Sequence, residues 1–390
     1  MILNYGANNF FCFKEGAEVS FEFPAKCPIE ITQGSSISPV ICVNGSNASG
    51  KTNLLKIISF IGYFIRESFN EKENASIPLY SFFKNTEPSS FYLQCVIEGK
   101  SFLYDLECSR ENVLSEKLTM DGSLFFERKA NKIIKCDKIL NKHKDVTLKS
   151  NASAICTLVE GHRVEALRNI HEYWGCGASN LHWSGYRNLN EDSHIENSYI
   201  YQEDQTLAFI TTQLLVKIDP SIKGFELIER TNSKGDKFYL PVFIHILDNN
   251  QEAKLDFSLQ SNGIKILYNE CIRILHTLAN GGCLVFDELD ANLHPDIIAL
   301  ILELFTNKEN NKKGAQIIFT SHNSEVLKMI SKYQLYIVEK EYSESFTYRA
   351  DEIEESIIRT DRPIRTYYEK NMLGGRPKID RSDQLLLGIK

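Results

Sequence analysis

No C-x-x-C pair occurs in the 390-residue sequence; its ten cysteines stand singly, several inside apolar runs, as Cys42 and Cys283 do, where a thiol behaves as a small hydrophobe. That spacing argues against a disulfide framework or a zinc site and for a reducing cytoplasm. No run approaches the ~18 consecutive apolar residues of a membrane helix. The opening MILNYGANNFFCF lacks the basic-then-apolar pattern of a signal peptide. Neither an internal repeat nor a sustained heptad pattern is present, which speaks against a solenoid and against a long coiled-coil arm. Net positive charge is lacking too: the formal charge is −7, which disfavours nonspecific coating of nucleic acid but leaves room for a local basic patch. A soluble, cytoplasmic protein without a membrane partner is expected.

The length is generous for one domain and short for three, so a core with a sizeable insertion is predicted. Strand-like segments fill the first 45 residues: EVSFEF alternates and PVICVN is a short buried run. Apolar residues Leu54, Leu55, Ile58, Ile61, Phe64 and Ile65 then recur at helical spacing from Lys51 to about Asn70. Between the strand and the helix lies Gly45-Ser46-Asn47-Ala48-Ser49-Gly50-Lys51-Thr52, which fits the phosphate-loop pattern G-x-x-x-x-G-K-[ST]. In such a loop Gly45 and Gly50 allow positive φ and close backbone approach, so that amide groups face the phosphates. Lys51 neutralises β/γ oxygens, Thr52 ligands Mg²⁺, and the helix end adds partial positive charge. Asn44 to Asn53 are therefore assigned to the nucleotide, ATP.

Far downstream, GGCLVFDELDANLHP reads as a buried strand ending in Asp287 and Glu288. Acids at the carboxyl end of a strand fall where open α/β sheets bind ligands, which makes Asp287 an outer-sphere Mg²⁺ ligand and Glu288 the positioner or base for the attacking water. AQIIFTSHNSEVL is a further buried strand, ending at Thr320-Ser321-His322, and His322 suits a γ-phosphate sensor. Ser261-Asn262-Gly263 opens a helix with apolar face Leu267, Cys271, Ile274, Leu275 and Leu278, an anion-binding end that makes sense if it serves the nucleotide of another protomer.

In this order the motifs resemble the ABC-type ATPase heads, a class that includes SMC-like and RecF-like repair proteins. DELDANLHP followed by QIIFTSHN is most similar to the bacterial branch related to the OLD nucleases, whose stand-alone ATPases occur in phage-defence operons. The resemblance covers residues 1 to about 60 and about 255 to 378. It implies that Gly45 to Thr52 hold the nucleotide, that Ser261 to Gly263 act in trans across a homodimer or higher oligomer, that Asn292 to His294 signal between protomers, and that His322 is the switch histidine. Three departures stand out: the turn is LQSNG, Phe11 replaces a basic residue, and the glutamine that links Mg²⁺ to the lobe has only Gln94 as a candidate. The implied fold is an α/β head with a mixed, largely parallel core sheet and an antiparallel β portion, residues 1–150 and 223–390, split by a mainly helical lobe, 151–222. That lobe is expected to sense a trigger or hold a partner.

No nuclease domain is expected in the short stretch after His322, whose acids Asp351, Glu352, Glu354 and Glu355 read as a solvated helix face. A separate effector is expected, with phage defence as the first biological reading. The run Arg128, Lys129, Lys132, Lys135, Lys138, Lys142, Lys144 and Lys149 reads as a solvated face, with docking of nucleic acid or an acidic partner as the alternative.

Overall fold

Residues 1–182, 185–186, 193–248, 250–291, 293–354, 358–359 and 362–376 are described by the structure, a computed structural model. Strands β1 (Ile2–Asn8) and β2 (Ala17–Ser20) pair antiparallel, and β3 (Val40–Gly45), buried at every residue, runs into the phosphate loop. Helix α1 (Lys51–Arg66) follows and stops short of the expected Asn70, where Ser68–Asn70 form a separate turn. Strands β4 (Ser89–Ile97), β5 (Lys100–Cys108), β6 (Val113–Met120), β7 (Ser123–Lys129) and β8 (Lys132–Cys136) complete an antiparallel sheet in the order β2-β1-β4-β5-β6-β7-β8. In β4 burial alternates residue by residue, as the pleat of a strand with one covered face requires.

Helix α2 (Arg168–Cys176) leads into the two-residue strand β9 (Ala178–Ser179). Helices α3 (Ser193–Glu203) and α4 (Gln205–Ile218) precede a second antiparallel sheet of β10 (Ile222–Thr231), β11 (Lys237–Ile246) and β12 (Glu252–Asp256). The remaining elements are α5 (Asn262–Asn280), β13 (Cys283–Phe286), α6 (Pro295–Thr306), β14 (Gln316–Thr320), β15 (Leu335–Glu341), β16 (Glu344–Arg349) and α7 (Ile364–Glu369). The core sheet runs β16-β15-β3-β14-β13-β9, parallel throughout except for β16 against β15. It is a mixed, largely parallel α/β sheet assembled from both ends of the chain. The ends are stapled: the Ile2 N–H donates to Gln316 Oε1 at 2.6 Å, and Gln316 Nε2 donates back to the Ile2 carbonyl at 2.9 Å.

Helix α1 is sandwiched between this sheet and the seven-stranded one. Leu54, Leu55, Ile57, Ile58, Phe60, Ile61, Phe64 and Ile65 are all buried, facing both layers. Each such side chain is worth roughly 1.5–3 kcal/mol on burial, so the helix carrying Lys51 and Thr52 is anchored far more firmly than any ion pair could hold it. On the far side of the core sheet, α5 buries Leu267, Cys271, Ile274 and Leu278 together with Ile298, Ile301, Leu302 and Phe305 of α6.

The segment 151–222 is not a single helical insertion. Ala154, Ile155 and Leu158 belong to the same core as α1, and Ala178 pairs with Leu284, so that β9 is an edge strand of the core sheet. Among the described residues of the segment, only α3 and α4 lie apart, packed against β10, β11 and α5. A two-residue strand has no periodicity to read, so nothing in the sequence marks it. The basic run is likewise divided. Arg128 is fully buried, opposite Glu116 in the β6–β7 register, with Nη1 3.0 Å from the Glu116 carboxylate and its other donors on the carbonyls of Ala130, Ala152 and Lys149. Lys149 donates to the Phe69 carbonyl at 2.7 Å, and Lys135 pairs with Glu127 at 3.1 Å. Asp351 is buried too, held by Arg349 at 2.5 Å, rather than lying on a solvated face; Glu355 falls outside the described residues.

Candidate functional site

The carboxyl ends of β3, β13 and β14 open onto a cavity of about 920 Å³, lined by Gly45, Ser46, Asn47, Ala48, Gly50, Lys51, Thr52, Asn53, Asp287, Glu288, Asp290 and His322 among others. The loop's two glycines have different reasons. Gly50 takes φ 114°, the left-handed region that a side chain resists. Gly45 does not; there a Cβ would lie 2.3 Å from the Val338 carbonyl oxygen of β15, so the residue is small because of close approach. Ala48 supplies the other positive φ, at 61°. Asn44 and Ser49 are buried and do not line the cavity: Asn44 Nδ2 donates to the Ser321 carbonyl at 3.0 Å, and the Ser49 carbonyl accepts from Ser345 Oγ at 2.6 Å. Both hold the loop in place.

Lys51 folds back over the loop and donates to the carbonyls of Gly45 and Ser46, each at 2.9 Å. Burial pushes its ammonium down to about 8, while the carboxylates of Asp287, Glu288 and Asp290 pull the other way. Thr52 Oγ1 donates to Asp287 Oδ2 at 2.7 Å, and Thr320 Oγ1 donates to Asp287 Oδ1 at 2.6 Å. The same Thr320 oxygen accepts the Glu288 N–H at 2.6 Å. Glu288 sits at φ 54°, a strained position for a non-glycine residue, costing on the order of 1–3 kcal/mol. Its carboxylate is exposed, 4.0 Å from His322 Nε2. The His322 N–H donates to Asp290 Oδ2 at 3.1 Å. Hydroxyl and carboxylate oxygens are the hard donors Mg²⁺ prefers, and the first amides of α1, without intrahelical partners, are anion donors; the residues fit a Mg²⁺–nucleotide.

Other assignments fall elsewhere. Ser261 caps α5, its Oγ accepting the Ile264 N–H at 3.4 Å; Ser261 and Asn262 are exposed, and none of Ser261, Asn262 and Gly263 lines the cavity of its own chain. Asn292 lies outside the described residues. His294 is exposed and caps α6, Nδ1 accepting the Asp296 N–H at 3.3 Å. Gln94 sits within β4 and accepts from Asn4 Nδ2 at 3.1 Å, away from the cavity, so it does not take the linking role considered for it. Phe11 carries the Lys56 ammonium over its ring, 4.6 Å from the centroid.

Several participants are not evident from the sequence. Asn180, just past β9, accepts the Asp287 N–H and donates to the Asp287 carbonyl, both at 2.8 Å, fixing the main chain of that acid. Thr320, Cys12, Lys340 and Tyr368 add to the site or its walls. Only Thr320 had a signal, its place beside Ser321 and His322.

Strand, glycine loop, buried helix and an acid pair at the end of a parallel strand of the same sheet, one strand removed, together make a P-loop ATPase fold. Among the described residues no helix is long and apolar enough to cross a membrane. Comparison with curated proteins returns no match. Among solved structures the chain is similar to the SMC head domain from Thermotoga maritima, at 15% identity and TM-score 0.45, covering 89% of this chain and 98% of that one. A family model described as "AAA domain, putative AbiEii toxin, Type IV TA system" matches residues 40–328, a span that includes the phosphate loop, Asp287, Glu288 and His322. The chain belongs to that family of AAA domains.

Proposed function

We propose that the protein binds ATP with Mg²⁺ in this cavity and hydrolyses it as a switch, two copies pairing around two nucleotides so that each is completed by Ser261 to Gly263 of the partner subunit. The observation that carries the reading is the convergence of Lys51, Thr52, Asp287, Glu288 and His322 on one cavity at the carboxyl ends of three parallel strands. Thr52 and Asp287 would hold the metal, which when bound neutralises phosphate oxygens. Lys51 exchanges the carbonyls of Gly45 and Ser46 for phosphate. Glu288 orients the attacking water and takes its proton, held at its strained φ by the Thr320 hydroxyl. His322, 4.0 Å from Glu288, faces the γ-phosphate end. Phosphoryl transfer asks mainly for positioning and charge neutralisation, and these groups supply both. The exposed Ser261 turn, outside its own cavity, supports service in trans.

Glu288→Gln is expected to keep ATP binding while slowing hydrolysis on the order of 10²–10⁴-fold, and to accumulate a dimer. Equal turnover by the variant, or a monomer in sedimentation both with and without Mg-ATP, refutes the reading.

Hydrolysis by itself has no biological output, so control of a separate effector, in bacterial anti-phage defence, completes the proposal. A family description that names a toxin and a TA system supports an output shared with a second chain. DNA binding draws less support, because Arg128, Lys149 and Lys135 of the basic run already have structural partners. Affinity capture during phage challenge tests the effector; recovery of this chain alone counts against it.

A further inference from the structure

The cavity is short of positive charge. Three carboxylates line it, Asp287, Glu288 and Asp290, and of the two lysines there, Lys51 is engaged by the loop's own carbonyls. The second is Lys340, from the opposite wall. Strand β15 runs parallel to β3 with Val338 registered on Gly45, so the residues after Val338 rise past the loop, and Lys340, two positions on, reaches the cavity. Its side chain is exposed and makes no hydrogen bond or ion pair with any described residue.

The acids near it face away from it or have contacts on their own walls, although the Asp290 Oδ1 oxygen is without a partner among the described residues. Glu339 and Glu341 alternate to the other face of β15, and Glu339 accepts from the Gly375 N–H at 2.9 Å and from Tyr348 Oη at 3.1 Å. Across the cavity, Asp287 is held by two threonine hydroxyls, Asp290 accepts from the His322 amide, and Glu288 lies beside the His322 ring. An ammonium at the mouth of a phosphate cradle, with no partner among the described residues, is placed to meet an anion.

We propose that Lys340 is a phosphate-binding residue for the nucleotide, its ammonium contacting an oxygen of the triphosphate chain from the β15 side. The inference rests on the reading of the cavity as an ATP site. It places one nucleotide contact beyond Lys328, where the family match ends, and so makes β15 part of the binding machinery as well as of the sheet.

Titration of full-length protein with Mg-ATP tests it, with Lys51→Ala as a control. Lys340→Ala is expected to raise Kd on the order of five- to twentyfold, Lys340→Glu to raise it further, and Lys340→Arg to restore it to within about twofold, with thermal unfolding unchanged in all three. The salt dependence of Kd should also be shallower in Lys340→Ala. If wild type binds ATP and Lys51→Ala does not, while Lys340→Ala binds as wild type does, this inference alone is overturned. A loss in Lys340→Ala that Lys340→Arg fails to restore overturns it as well. No binding by wild type overturns the nucleotide reading with it.

Discussion

Raising the pH should weaken ATP binding by an amount set by Lys51. Burial holds its ammonium at about 8, against 10.5 for a free lysine, and only the protonated form neutralises phosphate. From the titration curve the free protein is about nine-tenths protonated at this site at pH 7 and about one-tenth at pH 9, so the apparent Kd rises about tenfold over that interval. The assay is a titration with a fluorescent ATP analogue at saturating Mg²⁺ and constant ionic strength, at half-unit steps from pH 7 to 9. Lys51→Arg should flatten the profile, because a guanidinium keeps its charge throughout. A flat wild-type profile, or one with the same slope in Lys51→Arg, refutes the assignment. Stability moves the opposite way: the folded-state value is depressed, so between about pH 8 and 10.5 the unfolded chain binds more protons and this group's penalty on folding is relieved as pH rises.

Gly45→Ala places a methyl 2.3 Å from the Val338 carbonyl and should displace the loop from β15, abolishing ATP binding in the same titration; retained affinity contradicts the close-approach argument. Glu116→Ala leaves Arg128 buried without its carboxylate and should cost about 3–5 kcal/mol by urea unfolding, where a loss under ~1 kcal/mol contradicts a buried pair. Asn180→Ala frees the Asp287 main chain and should lower turnover more than it lowers affinity; unchanged turnover sets Asn180 aside.

The phosphate loop, the Asp287-Glu288 strand and the His322 strand were legible because each is local: a contiguous motif at the end of a contiguous apolar run. What the sequence hid came from elsewhere in the chain. Asn180 reaches Asp287 across 107 positions from just past a two-residue strand too short to show alternation. Lys340 is one charge among the alternating residues of β15, and only the register of Val338 on Gly45 places it at the cavity. Arg128 read as surface because it sits among lysines; its partner Glu116 is visible only once β6 and β7 are paired. Gly45 and Gly50 match one pattern yet obey different constraints, close approach at one and backbone handedness at the other. Composition and motif located the chemistry; cross-strand register decided which side chains surround it.

The most direct measurement is a structure of the Glu288→Gln variant loaded with Mg-ATP. A two-fold assembly in which Ser261 of one protomer lies within hydrogen-bond reach, ~3.5 Å, of the γ-phosphate held by Lys51 of the other is the predicted result. A nucleotide-bound structure with Ser261 remote from every γ-phosphate contradicts it.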